Sequence, residues 1–210
     1  MIELSNVTKT FKNETVLKET TVSFEQGKII GIVGRNGSGK TVLLKIICGL
    51  LSPSTGSVVV AGKRIGKDED FPSDIGIIIE TPTFISYQSA FANLKNLAVI
   101  RGKIKDQRIK EVIRMVGLDP EDKKRVGKFS LGMRQRLGIA QAIMEDPGLL
   151  VMDEPMNGLD KEGVEDMRKL FKDLKEEGKT ILICSHNAED IDILCDQVFE
   201  MEKGVLTKIR

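Results

Sequence analysis

The stretch Gly34-Arg35-Asn36-Gly37-Ser38-Gly39-Lys40-Thr41 fits G-x-x-x-x-G-K-[ST] at every fixed position. A loop of this type works only when a strand leads into it and a helix leaves it. Lys28-Ile29-Ile30-Gly31-Ile32-Val33 reads as a buried strand, and Thr41 to Ile47 reads as a helix starting on Lys40. The residue types follow from what a triphosphate needs. Glycines let the chain curl until its N–H groups point inward, and the helix N-terminus adds its dipole. Lys40 is expected to bridge the β- and γ-phosphates of the nucleotide, and the Thr41 hydroxyl to ligate Mg²⁺. The chain is read first as a nucleotide binder with one such loop.

The chain's 210 residues suffice for one good core or for a domain with a subdomain, and not for two independent units of ordinary size. Thirty-two basic and thirty-one acidic residues give a formal charge of +1, which offers no global argument for a nucleic-acid partner. No apolar run approaches the roughly 18 residues of a membrane span, and Met1-Ile2-Glu3 reads as the start of a strand rather than of a signal peptide. The expected location is the cytoplasm. Cys48, Cys184 and Cys195 sit singly inside apolar stretches and read as reduced core thiols, neither a disulfide framework nor a metal site.

Short alternating runs from Ile2 to Phe24 suggest antiparallel strands, and Ser57 to Ile65 a hairpin turning at Gly62. Ile75 to Ile79, Leu149 to Met152 and Thr180 to Cys184 are expected as buried strands, with a hairpin over Gln197 to Ile209. Val164, Met167, Leu170, Phe171 and Leu174 mark one face of a helix ended by Gly178, and Asn187 to Leu194 a short helix. Between Ser86 and Phe129 the three-to-four spacing of Phe91, Leu94, Leu97 and Ala98, then of Ile109, Val112, Ile113 and Val116, is helical. The fold expected is therefore α/β of the P-loop NTPase class: a mainly parallel core sheet, an antiparallel β subdomain and an inserted helical subdomain. The domain is expected to run over 1–210, with residues 1–85 and 130–210 forming the core and 86–129 the lobe. That lobe is rich in Lys and Arg with few nearby acids, which reads either as a solvated face or as a contact with anionic headgroups or a membrane partner.

Asp153-Glu154-Pro155 follows the apolar strand Leu149 to Met152. Downstream of a phosphate-binding loop, Asp153 can hold Mg²⁺ through water and Glu154 can polarise the attacking water as a general base.

At Phe129-Ser130-Leu131-Gly132-Met133-Arg134-Gln135-Arg136 the chain resembles the ATP-binding subunits of ABC transporters, whose signature L-S-G-G-Q is followed by x-Q-R; the resemblance covers essentially the whole length. Ser130 stands where an N-cap would, before the helical run Leu137, Ile139, Ala140 and Ile143, so its hydroxyl and nearby N–H groups present an anion site. The resemblance implies that Ser130 and Gly132 serve the γ-phosphate of a second subunit, so that two chains sandwich two ATP molecules head to tail. It also implies that His186, the chain's single histidine, is the switch residue at the γ-phosphate. Asn157-Gly158-Leu159-Asp160 looks like the loop that communicates across the dimer, with Asp160 doubling as an N-cap, and Phe11 matches the aromatic that stacks on adenine. Leu131 and Met133 depart from the signature's Gly and Gln. Glu80, in Ile79-Glu80-Thr81-Pro82, stands where most members carry Gln and resembles the bacitracin- and lantibiotic-type export branch. Two readings of Glu80 remain: a metal-site residue with Thr41 and Asp153, or a carboxylate pointing into solvent.

The resemblance thus implies an ATPase that powers transport of peptide-like or antibiotic-like compounds, paired with a second copy or similar chain under separate membrane subunits at the inner face of the membrane. A soluble ABC-type ATPase uncoupled from transport is the alternative. The cargo is not written in this chain.

Overall fold

The computed structural model describes residues 2–210. Two antiparallel strands open the chain, β1 (Ile2–Phe11) and β2 (Glu14–Phe24), followed by β3 (Ile29–Val33) and helix α1 (Lys40–Ile47). Strands β4 (Thr55–Val60), β5 (Lys63–Arg64) and β6 (Ile75–Ile78) come next. Helices α2 (Ala90–Arg101), α3 (Asp106–Met115) and α4 (Leu131–Ile143) fill the middle. The last third alternates: β7 (Leu149–Asp153), α5 (Lys161–Glu176), β8 (Thr180–Cys184), α6 (Ala188–Leu194), β9 (Gln197–Glu202) and β10 (Val205–Lys208).

The strands form two sheets. One is antiparallel in the order β2-β1-β4-β5; the other runs β10-β9-β3-β8-β7-β6, parallel throughout except for β10 on β9. Strand alternation divides the second sheet's side chains between two cores. Leu150, Met152, Ile181, Ile183 and Val198 face the helical side and pack with α4, α5 and α6 through Leu137, Ile139, Phe171, Leu174 and Ile191. Ile30, Ile32, Val151, Leu182, Phe199 and Met201 face the other side, against Leu43, Leu44 and Ile47 of α1 and against Leu4, Val7, Leu17 and Phe24 of the antiparallel sheet. Covered on both faces, β7 and β8 have to be apolar runs rather than alternating ones, as their sequences are.

Helices α2 and α3 occupy the expected helical stretch, with a short 3₁₀ turn at Val126–Lys128 leading into α4. Their apolar residues, Leu94, Ala98, Ile109, Val112 and Ile113, belong to the same core as β7 and α4. Several of the lobe's basic groups find partners outside their own helices: Arg101 meets Glu145 at 2.6 Å, Lys110 meets Glu121 at 2.7 Å, and Arg108 donates to the carbonyls of Ile143 and Met144. Helix α4 lies directly on β6, because Gly76 carries no side chain; a Cβ there would overlap the carbonyl of Ala142. One turn nearer the start of α4, Gly138 gives Pro82 its place, 2.5 Å from where a Cβ would stand.

Candidate active site

The loops leaving the carboxyl ends of β3, β6, β7 and β8 converge on one edge of the parallel sheet, where open α/β sheets bind ligands. Between β3 and α1 the loop turns through Gly34 (φ +150°) and Gly39 (φ +111°), a backbone region L side chains avoid. Beyond conformation, a Cβ at Gly34 would overlap the carbonyl of Met201 on β9, so the loop is pressed against the sheet. Gly39 is the N-cap of α1 and makes no side-chain cap bond, and the first turn carries no acidic residue. The first-turn amides are therefore left to an outside acceptor.

Lys40 is 6% exposed, and its Nζ donates to the carbonyls of Gly34 (2.6 Å) and Arg35 (3.1 Å). An ammonium has three donors, so one remains for a ligand while two brace the loop. The hydroxyl of Ser38 is buried and, among the described residues, has no hydrogen-bond partner. Thr41 donates from Oγ1 to Asp153 Oδ2 at 2.6 Å, joining the loop to the end of β7. A hydroxyl beside a carboxylate at a helix N-terminus is the oxygen donor set Mg²⁺ favours. Orphaned hydroxyl, bare first turn and Thr41–Asp153 pair together fit a Mg²⁺-bound polyphosphate.

Glu154 adopts a left-handed backbone conformation, φ +51°. Its amide donates to the carbonyl of Cys184 on β8 (2.9 Å), and its Oε2 lies 2.9 Å from His186 Nδ1. His186 is itself exposed, on the turn between β8 and α6. The first turn of α6, just after it, is pinned by Arg168 of α5, a 5%-exposed residue whose guanidinium donates to Asp190 Oδ1 (3.0 and 2.6 Å) and to Glu189 (3.3 Å). Burial raises the nearby Cys184 thiol well above its ordinary pKa, so beside Asp153 it stays a neutral core residue.

A cavity of about 420 Å³ opens over this edge, lined by Asn36, Gly37, Gly39, Lys40 and Thr41 on one wall and by Glu80, Asp153 and Glu154 on another. Leu131, Gln135 and Asn157 also reach it. Ser130 and Gly132 lie just outside the lining. Ser130 accepts from the amide of Met133 at 3.1 Å as the N-cap of α4, and Gly132 packs beside the carbonyl of Gly158. Leu131 sits on Gly158, which holds the start of α4 against the turn ending at Asp160; Asp160 in turn caps α5 by accepting from Gly163 N at 3.0 Å. Phe11 also lies outside the lining, 42% exposed at the end of β1, with Lys9 Nζ 5.0 Å from its ring centroid; Val16 of β2 is the nearer wall. Gly34, Arg35 and His186 line a second cavity of about 660 Å³ on the other side of the loop.

Glu80 stands in the lining with φ +64°, and its carboxylate is 2.5 Å from Nζ of Lys45, one turn along α1 from Thr41. The Glu80 side chain is largely exposed and shares the cavity lining with Asp153. Lys45 and Gln135 are the participants that sequence reasoning left without a role. A lysine four residues beyond Thr41 was the only signal for the first, and the second was visible only as a letter in a motif.

A family model described as "ABC transporter" matches residues 17–157. An uncharacterized ABC transporter ATP-binding protein of Bacillus subtilis, YybJ, is 45% identical over 206 residues, covering 98% of this chain and 94% of the relative. The bacitracin transport ATP-binding protein BcrA of Bacillus licheniformis is 41% identical over 208 residues, 98% of this chain and 68% of the relative. Among solved structures, the dimeric post-hydrolysis state of the ATP-binding cassette MJ0796 bound to ADP and Pi superposes with a TM-score of 0.88 at 26% identity, covering 100% of this chain and 99% of the other.

Proposed function

The chain belongs to the ABC transporter family as an ATP-binding subunit with ATPase activity, and from that premise we propose that it powers an exporter of peptide-like or antibiotic-like compounds. One observation carries the chemistry: the phosphate-loop pair Lys40-Thr41 and the acidic pair Asp153-Glu154 face one cavity, tied to each other by the Thr41–Asp153 hydrogen bond.

In this proposal residues 34–41 hold the triphosphate, with Lys40 balancing charge between the β- and γ-phosphates. Thr41 and Asp153 would hold Mg²⁺, with Glu80 as a further candidate. When bound, the metal supplies positive charge to the phosphate oxygens on which negative charge builds. Glu154 accepts a hydrogen bond from the attacking water and withdraws its proton. His186, next to the Glu154 carboxylate, keeps that group oriented and contributes a donor toward the γ-phosphate. Phe11 offers an exposed ring for adenine at the hairpin edge. The reaction is ATP and water to ADP and phosphate.

The site is half of a pair. Cassettes of this family form dimers, and the signature segment Ser130–Gly132 with Asp160 is proposed to complete the site of a second copy or similar chain. The lobe over 86–129, set on the core over 1–85 and 130–210 and with the signature at its C-terminal edge, is proposed as the part that meets the membrane subunits. Among the described residues no helix is long and apolar enough to cross a membrane, and attachment at its inner face through those subunits belongs to the same proposal. An ATPase uncoupled from transport is the less favoured reading, because the named relative of known cargo is a transport protein.

Lys40→Ala is the test. A methyl group cannot replace a cation held against phosphate, so calorimetric titration of the variant with Mg-ATP should show no binding where the natural chain binds. Unchanged affinity would remove the loop from the site.

A further inference from the structure

Glu154 poses a packing problem that its own sequence neighbours do not solve. A non-glycine residue with φ +51° occupies a sparsely populated region and persists only where the surroundings hold it there. Two of the restraints are local to the strand ends: the Glu154 amide on the carbonyl of Cys184, and the Asn157 amide on the carbonyl of Glu154 at 3.1 Å. The third comes from α4. Gln135, 6% exposed and one turn into that helix, donates from Nε2 to the carbonyls of Glu154 (3.3 Å) and Pro155 (3.0 Å). Among the described residues it is the only donor to Pro155 O.

We infer that Gln135 is a positioning residue that holds the Glu154 carboxylate in its working orientation, and that it does so from the helix whose first residues form the signature. The amide of Gln135 bridges two successive carbonyls across the bend at Glu154, so the left-handed turn cannot relax toward an extended conformation without breaking both bonds. Relaxation would rotate the carboxylate away from His186 Nδ1 and the cavity. Both donors sit on α4, capped by Ser130 five residues earlier and braced at the far side by Arg136 on the carbonyl of Val116 (2.7 Å) and on Asp166 (3.1 Å). A displacement of α4 is therefore felt at Glu154 through Gln135. The inference rests on the reading of Glu154 as the group that polarises water.

The test uses the full chain and two substitutions. Gln135→Met keeps side-chain length and removes the donors; Gln135→Ala removes the side chain, so that one variant remains interpretable if the other packs badly. Misplacing a reacting group typically costs on the order of tenfold to a hundredfold in rate. Single-turnover phosphate release should therefore fall by at least tenfold in either variant, while calorimetric Mg-ATP affinity stays within about twofold and the melting temperature shows a folded protein. In a Glu154→Gln background the same substitutions should cause no further fall, because the group they position is gone. Full turnover in both Gln135 variants, or an equal loss in the Glu154→Gln background, overturns the inference and leaves Glu154's role intact. Full turnover in Glu154→Gln itself instead removes the underlying reading of Glu154, and this inference with it.

Discussion

Glu80 shows how one side chain changes the electrostatics of a phosphate site. A carboxylate accepts hydrogen bonds as an amide oxygen does, but it cannot donate, and it brings a negative charge toward an anionic substrate. The structure sets Lys45 against that charge at 2.5 Å. The pair is too exposed to matter for stability, where such contacts contribute about 0–1 kcal/mol, so any benefit has to appear in the chemistry. If Glu80 acts through Mg²⁺, Glu80→Gln should leave ATP affinity within about twofold and raise the Mg²⁺ concentration for half-maximal hydrolysis, since a neutral oxygen attracts the metal less. Superimposable Mg²⁺ titrations of the two proteins would show that Glu80 serves Lys45 alone. The pairing could not be read from the sequence, because residues 35 positions apart meet only where the loop after β6 crosses α1.

At the scale of elements, Asp196 is the clasp between a strand and a helix. Its Oδ2 accepts from the Ile29 amide at the start of β3 (2.9 Å), and its Oδ1 from Lys175 in the last turn of α5 (2.6 Å). Partial burial pushes its pKa up, but the hydrogen bonds from Lys175 and Ile29 and the charges of Lys175 and Lys28 outweigh that and hold it below the ordinary carboxylate value. The folded state therefore binds the proton less readily than the unfolded one. Its contribution is complete above the ordinary carboxylate range and lost as pH falls through the depressed pKa. Urea unfolding of Asp196→Asn should show a deficit of about 1–3 kcal/mol at neutral pH, the scale of hydrogen bonds to charged groups, closing in acid. A deficit that stays constant down the acid limb would show that packing, not charge, is what Asp196 supplies. The same scale explains what was legible. Strand and helix positions followed from apolar runs, because β7 and β8 are covered on both faces and have no choice of pattern. Gly76 and Gly138 looked unremarkable in sequence; their reasons, the carbonyl of Ala142 and the ring of Pro82, lie on other elements.

Over the whole molecule, the residues that could be assigned early are those whose chemistry dictates type and spacing together. Gly34 to Thr41, Asp153 and Glu154 were singled out because a phosphate loop and an acidic strand end dictate their residue types, and the fold brings Asn36, Gly37, Gly39, Lys40, Thr41, Asp153 and Glu154 to one cavity. Gln135 lay in plain view within the signature, yet its direction depends on how α4 crosses the end of β7. The basic lobe looked uncompensated because Glu145, the partner of Arg101, lies beyond the lobe, after α4. What no single chain displays is the arrangement of two. Ser130 caps α4 outside the lining of the cavity that holds Lys40, although Leu131 and Gln135 of the same segment reach it. Phosphate release from a mixture of Ser130→Arg and Lys40→Ala chains measures this directly. Each variant alone should be inactive, and the mixture should recover turnover, because a mixed pair contains one site with both an intact loop and an intact signature. A mixture as inactive as its components, under conditions where the natural chain turns over ATP, would contradict a site shared between two chains.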